Sequence, residues 1–551
     1  MNKRIDKREK VVLIIISGML FFYPYITEGI MHNDELLARF WEMQGFFTFY
    51  KHYFNELLFE KGRALSSWFV PIVQYLGVMK TSTLLFKVMQ LVSIILNVAI
   101  FGMLVDKIFH NTKFSRFVSL MLLLFLQISF ESTTPNVFTT YYGFGLTIFC
   151  GSLILYINYL ENKNIKCLVF SMLLFTIAFC NSEAFVTYTP VYLMLYIKEY
   201  GLKKDAWNNR KKIIVPIVTG CIFIIGYFIS GKLFPSQYDG NQICFTFNSF
   251  IKNLKELLKI SIPGALLFSE KYAYLEKVYF HWLTGLDIIR IICVILFSLM
   301  YITRLFHDST KIKLKNKRDI WKSIILIVII FATAILPLLP IAVAKMYQGN
   351  IGEQGFLGIP VTYLAYYSTT LAICYIIWKM LELLNYKKQK LVYFLIIICI
   401  CIGAYKVQVR NAIFSAETHS NFVRIQNIEK MLNTSEIKNI GNEKIYSSDI
   451  FATKNTLAIH DSYWSDYISL NGGKAIVVNK FEKGVRYSIY ETNDEIFSLV
   501  DDVNNQITVF SKYAIEEPVA IKIANNSWIL FEQKETFTMD NGYFVYKLDK
   551  R

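Results

Sequence analysis

Two short stretches carry side chains whose types and spacing suit group transfer. The first is His32-Asn33-Asp34-Glu35. The second is Glu60-Lys61-Gly62-Arg63-Ala64-Leu65-Ser66-Ser67. A carboxylate within reach of a hydroxyl acts as a general base, worth roughly 10²–10⁴-fold in rate. An arginine grips a phosphate through a planar fork of donors that lysine lacks. A base and a phosphate-holding cation together suit a transfer in which phosphate is the leaving group. A plainer alternative stays open on the residues alone: Asp34 and Glu35 end a hydrophobic segment and do nothing else.

These residues must be positioned by a membrane bundle. Of 551 residues, 54% are hydrophobic and 18% are charged, against about 25% charged in soluble domains. Runs of about 20 apolar residues match the hydrocarbon thickness of a bilayer. Val11–Met31, Ser323–Ala344 and Leu391–Tyr405 are examples of such runs. The pattern predicts eleven spans, at 11–31, 82–105, 117–131, 142–160, 167–181, 184–197, 213–231, 286–303, 323–344, 360–382 and 391–406. The run at 11–31 is too long for the core of a typical signal peptide, and no small-residue cleavage site follows it. It reads as a retained first helix.

The net charge is +16, but residues 407–551 hold 16 Lys+Arg and 19 Asp+Glu, so the excess lies in the first part. There the basic residues cluster between apolar runs, the pattern of positive cytoplasmic loops. The segments 1–10, 106–116, 161–167, 198–212, 304–322 and 385–390 carry 5, 3, 2, 6, 7 and 3 Lys/Arg. The intervening short connections 131–141, 182–183 and 346–359 carry none. This places the N-terminus in the cytoplasm and the C-terminal domain outside. It also argues against nucleic acid as a partner.

Two outer connections are long. Nine aromatics within Leu36–Glu60 favour the lipid headgroup layer. Two amphipathic helices, about 36–60 and 64–79, are expected there, and a third at 250–262. In the third, Lys252, Lys255 and Lys259 oppose Leu254, Leu257 and Leu258. The nine cysteines precede Val407 and form no CxxC pair, so they read as packing thiols. Beyond Val407 the chain predicts a small α+β domain. It has a helix over Ser420–Asn433, strands near Lys444–Ile450, Ala475–Phe481, Val485–Glu491, Gln506–Tyr513 and Val519–Phe531, and a hairpin over Glu535–Leu548 turning at Asp540-Asn541-Gly542.

The acidic pair after the first span, the Gly62-Arg63 pair opening the second surface helix and the helix count together resemble the GT-C superfamily of polytopic glycosyltransferases. The closest likeness is to bacterial O-antigen glucosyltransferase (Gtr-type) proteins. It covers residues 1–406 and is clearest over 11–80. Relatives often show two aspartates where this chain has Asp34-Glu35. The resemblance implies a mainly α, polytopic helical membrane enzyme. Its donor would be a polyprenyl-phosphate-linked sugar, and its acceptor a cell-surface polysaccharide or glycolipid outside the cytoplasm. Transfer would invert the anomeric carbon, with Asp34 or Glu35 as base and Arg63 on the donor phosphate.

Lys345, the cation nearest the outer turn that follows the span 323–344, is a second candidate for donor phosphate; its alternative is a lysine snorkelling to the interface. Glu183, at the turn Asn181-Ser182-Glu183, and Glu131, at the end of the third span, are candidates to orient the acceptor. No cofactor is firmly implied; a divalent metal at Asp34 and Glu35 beside His32 remains open. The chain has no HExxH, nucleophile elbow or P-loop. Two rivals remain. One is a polysaccharide polymerase or ligase, which would be expected to carry arginines in a large late loop. The other is a lipid or sugar transporter, which would be expected to show repeated halves.

Overall fold

The computed structural model describes residues 33–78, 83–127, 139–201, 210–235, 238–240, 242–268, 283–307, 317–348, 360–383, 386–433, 438, 444–446, 462–478, 496–501, 506–511, 519–524, 527–538 and 544–550. The first span, 11–31, the Asp540-Asn541-Gly542 of the expected hairpin turn, and the strand expected at Val485–Glu491 lie outside these. Two compact units emerge, Trp41–Ala416 and Glu417–Arg551 with Glu28–Phe40.

The first unit is a helical membrane bundle. Among the described residues, seven helices are long and apolar enough to cross a bilayer: Lys87–Phe109, Tyr141–Asn162, Lys211–Leu233, Gly285–Leu305, Ser323–Val343, Thr362–Glu382 and Leu391–Ala416. Ile165–Asn181 is apolar but shorter. The span expected at 117–131 is the helix Thr112–Phe125, 14 residues long. At 1.5 Å per residue it measures roughly 21 Å, below the roughly 30 Å of hydrocarbon. It starts at Asn111, whose side chain accepts from the Phe114 N–H at 3.0 Å, and it is buried from Phe117 to Phe125. The segment expected at 184–197 is a 3₁₀ turn, Glu183–Tyr188, continued by the helix Thr189–Tyr200.

The core is rich in rings and bound by a polar seam. The Asn97 amide donates to the Tyr363 hydroxyl at 2.9 Å, and Thr147 donates to Asn97 at 2.6 Å. Such pairing is what permits polar side chains to lie inside an apolar bundle. Outward faces carry large exposed apolar residues, among them Ile222, Phe228, Leu296 and Met300. That pattern suits contact with lipid tails.

The surface segments differ from the two continuous helices expected. The first is broken into Asn33–Met43, Phe46–Asn55 and a π-helical turn, Glu56–Glu60. Gly45 sits at φ +94° between the first two, a conformation that side-chain-bearing residues rarely adopt. The second is broken into Ala64–Ser67 and Val70–Val78. The helix expected at 250–262 spans Phe247–Ile260, with Leu257 buried and its three lysines exposed.

In the second unit, strands β1 (Lys444–Tyr446), β2 (Ile476–Val478), β3 (Ile496–Asp501), β4 (Gln506–Ser511), β5 (Val519–Ala524), β6 (Ser527–Thr538) and β7 (Phe544–Lys550) form one sheet. Their order is β2-β1-β3-β4-β7-β6-β5. β1 and β2 are parallel and the other neighbours antiparallel. The run expected as one strand at Val519–Phe531 is divided between β5 and β6, which pair Ala524 with Ser527. The helix expected at Ser420–Asn433 and the last span are one helix, Tyr386–Leu432.

Candidate functional site

The Gly62-Arg63 motif has a local physical reason. The π turn ends as the Lys61 N–H donates to Glu56 O at 2.9 Å and the Arg63 N–H to Leu57 O at 2.7 Å. Gly62 between them stands at φ +63°, the left-handed geometry that closes a helix and favours glycine. Arg63 then precedes the next helix, its carbonyl accepting from the Ser66 and Ser67 N–H groups at 3.1 and 3.0 Å. Ser230, near the end of the span Lys211–Leu233, staples this corner. Its hydroxyl donates to Gly62 O at 3.0 Å and accepts from the Ala64 N–H at 3.1 Å.

The Arg63 side chain meets Glu183, with Nη2 2.8 Å from Oε1. About a quarter of each side chain is exposed. Glu183 opens the 3₁₀ turn just after Ser182, whose hydroxyl accepts from the Ala184 N–H at 3.3 Å. The preceding Asn181 donates to Tyr141 O at 2.7 Å, which fixes the turn on the neighbouring span. Tyr142, Tyr227 and Tyr238 stand close enough to act on the guanidinium. Burial alone would lower the Arg63 pKa; Glu183 and these phenols outweigh it and hold the group above its ordinary value. Arg63 is therefore a permanent cation in a partly desolvated place.

This polar corner lines a cavity of about 690 Å³. Arg63, Ser66, Ser182, Glu183, Tyr142, Tyr227 and Gln242 contribute its polar lining, and most of the rest is apolar. Ile217, Ile224 and Phe228 belong to its apolar wall and are exposed. A largely apolar space with an arginine in its lining fits a molecule with a hydrocarbon tail and an anionic head.

Lys345 stands beside this cavity without lining it. Residues 242–244 pair with 343–345: the Cys244 N–H donates to Val343 O at 2.9 Å and the Lys345 N–H to Gln242 O at 2.8 Å. The Lys345 ammonium, about half exposed, bonds Asp239 at 3.0 Å and Gln242 at 3.2 Å. Lys61, a residue that sequence reasoning did not single out, pairs with Glu56 at 2.6 Å and lies over the Tyr238 ring.

The structure thus brings Arg63 and Glu183 together. Asp34 and Glu35 open the helix Asn33–Met43, and their side chains lie outside the described residues, as does Glu131. Among the described residues no group of three metal-ligating side chains occurs. Sequence reading missed the Arg63–Glu183 pairing, Ser230 and the tyrosines. A serine and a tyrosine inside the apolar run 213–231 were the available signal. The chain matches no protein-family model, and no curated protein matches it.

Proposed function

We propose that the protein is a membrane glycosyltransferase that moves a sugar from a polyprenyl-phosphate donor to a polysaccharide or glycolipid at the cell surface. One observation carries the reading: a largely apolar cavity in the bundle whose lining holds Arg63 against Glu183. The isoprenoid tail occupies the apolar part, and the donor phosphate approaches Arg63. The guanidinium has five N–H donors, enough to keep Glu183 on one edge and take phosphate oxygens on another. Asp34 or Glu35 removes the proton of the acceptor hydroxyl, and its oxygen attacks the anomeric carbon. The carbon–oxygen bond to phosphate breaks with inversion, and Arg63 stabilises the departing phosphate, an electrostatic role of the oxyanion type. Lys345, adjacent to the cavity, would reach donor phosphate by exchanging its contact with Asp239. Glu183 orients the Arg63 fork.

The same reading has eleven crossings, a cytoplasmic N-terminus and the second unit outside. The charge of the loops supports it. So does length: six 3₁₀ residues and twelve α residues of Glu183–Tyr200 sum to roughly 30 Å, enough to cross. The test is chemical analysis of the surface polysaccharide from cells with and without the gene. Loss of one side-branch sugar is expected; an unchanged polysaccharide and glycolipid profile overturns the proposal.

A further inference from the structure

Arg39, on the helix Asn33–Met43 that carries Asp34 and Glu35, makes a charged contact within the second unit. Arg39 presents its fork to Glu429, 390 residues away, with Nη1 2.9 Å from Oε1 and Nη2 3.1 Å from Oε2. Glu429 is buried. The Tyr463 hydroxyl donates to the same carboxylate at 3.4 Å, and the Tyr463 ring packs against Phe40 with centroids 6.0 Å apart. Ala38 and Phe40, the neighbours of Arg39, are buried as well.

A two-point contact fixes more than a distance. Two parallel N–H···O bonds between planar groups set both the rotation and the axial position of the helix that bears them. A largely buried ion pair, here with Arg39 one quarter exposed, adds little net stability compared with apolar packing, and its best-attested use is to specify register. Arg39 lies four residues after Glu35 and five after Asp34, so it is roughly 6 to 8 Å along the same helix. A rotation allowed at Arg39 is therefore passed to the acidic pair.

We infer that the Arg39–Glu429 pair is a positioning clamp, by which the C-terminal domain sets the orientation of the catalytic carboxylate helix. The inference rests on the glycosyltransferase reading. It gives the soluble tail a role in catalysis without a catalytic residue of its own. Arg39 and Glu429 touch no substrate. They act through the helix.

The experiment uses the full-length protein in liposomes with tritium-labelled polyprenyl-phosphate sugars and acceptor extracted from the cells that make it. The variants are Arg39→Lys, Glu429→Gln and the exchange Arg39→Glu with Glu429→Arg. A misplacement of about 1 Å costs on the order of 10²-fold. The single variants should lose tenfold to a hundredfold in kcat, with donor KM within about twofold of wild type; Arg39→Lys, which keeps the charge, should change the unfolding temperature little, whereas Glu429→Gln, which leaves Arg39 without its counter-charge, should lower it. The exchange should recover part of the loss. Hydrogen exchange over 33–43, which needs no turnover, should quicken about tenfold or more in the single variants. Unchanged exchange there overturns the clamp whatever the turnover. Faster exchange with wild-type kcat reduces the pair to a structural contact and also overturns the proposal. Absence of transfer by the wild-type protein is a separate result: it removes the glycosyltransferase reading and the catalytic half of the clamp with it, while exchange still decides whether the pair holds the helix.

Discussion

Replacing Arg63 by lysine isolates the fork from the charge. The perturbation is clean, because Arg63 holds its corner through backbone bonds, its N–H to Leu57 O and its carbonyl from Ser66 and Ser67. None of these needs the side chain. Lysine keeps the positive charge opposite Glu183, where the observed contact is 2.8 Å between side chains about one quarter exposed. Stability should therefore change by no more than about 1 kcal/mol. What lysine cannot do is hold Glu183 on one edge and phosphate on another in fixed directions. The loss of one such charged contact to a departing oxyanion costs about 2–4 kcal/mol of transition-state stabilisation. That is roughly 30-fold to 1000-fold in rate. The assay is initial-rate transfer of labelled sugar from the lipid donor by detergent-purified protein at matched folded amounts, across donor concentrations. Near-wild-type kcat and KM in Arg63→Lys would show that the arginine only anchors the corner.

Gly62→Ala places a side chain at φ +63° and should cost about 1–2 kcal/mol, read as a lower unfolding temperature together with reduced transfer. An unchanged unfolding temperature would count against the strained corner. Glu183→Gln keeps the shape but removes the charge that orients Arg63, so transfer should fall about tenfold or more; an unaffected rate would make Glu183 a passive loop carboxylate. Protease added to intact spheroplasts should release the region after Ala416, and a protected tail would reverse the assigned topology.

The sequence disclosed the membrane bundle well, because long apolar runs and clustered basic loops reflect the bilayer directly. It was less informative wherever tertiary packing decides. Within the span expected at 117–131, the helix Thr112–Phe125 is 14 residues long and its Phe117–Phe125 stretch is buried in the bundle, and hydropathy does not separate burial in protein from burial in lipid. The surface helix 36–60 reads as continuous, yet Gly45 breaks it, since one glycine in an aromatic-rich amphipathic pattern does not announce its φ. The Gly62-Arg63 pair was visible as a motif, while its partner Glu183 lies 120 residues on and is joined to it only by the fold. The tail's strand pattern was readable through alternation, but Ile496–Asp501 was overlooked, and the parallel pairing of β1 with β2 requires a crossover that local pattern does not reveal.

The most direct test of the central claim is product formation by the purified full-length protein in liposomes. The supplied substrates are labelled polyprenyl-phosphate sugar and a surface-glycan acceptor. The wild-type protein should form a new glycosidic bond and release polyprenyl phosphate. Asp34→Asn should bind the donor yet form no product, with Glu35→Gln milder. If labelled lipid binds or crosses the bilayer while no glycosidic bond forms, the protein is a carrier and not a transferase. If both amide variants transfer sugar at the wild-type rate, the acidic pair is a helix end and the assigned base is wrong.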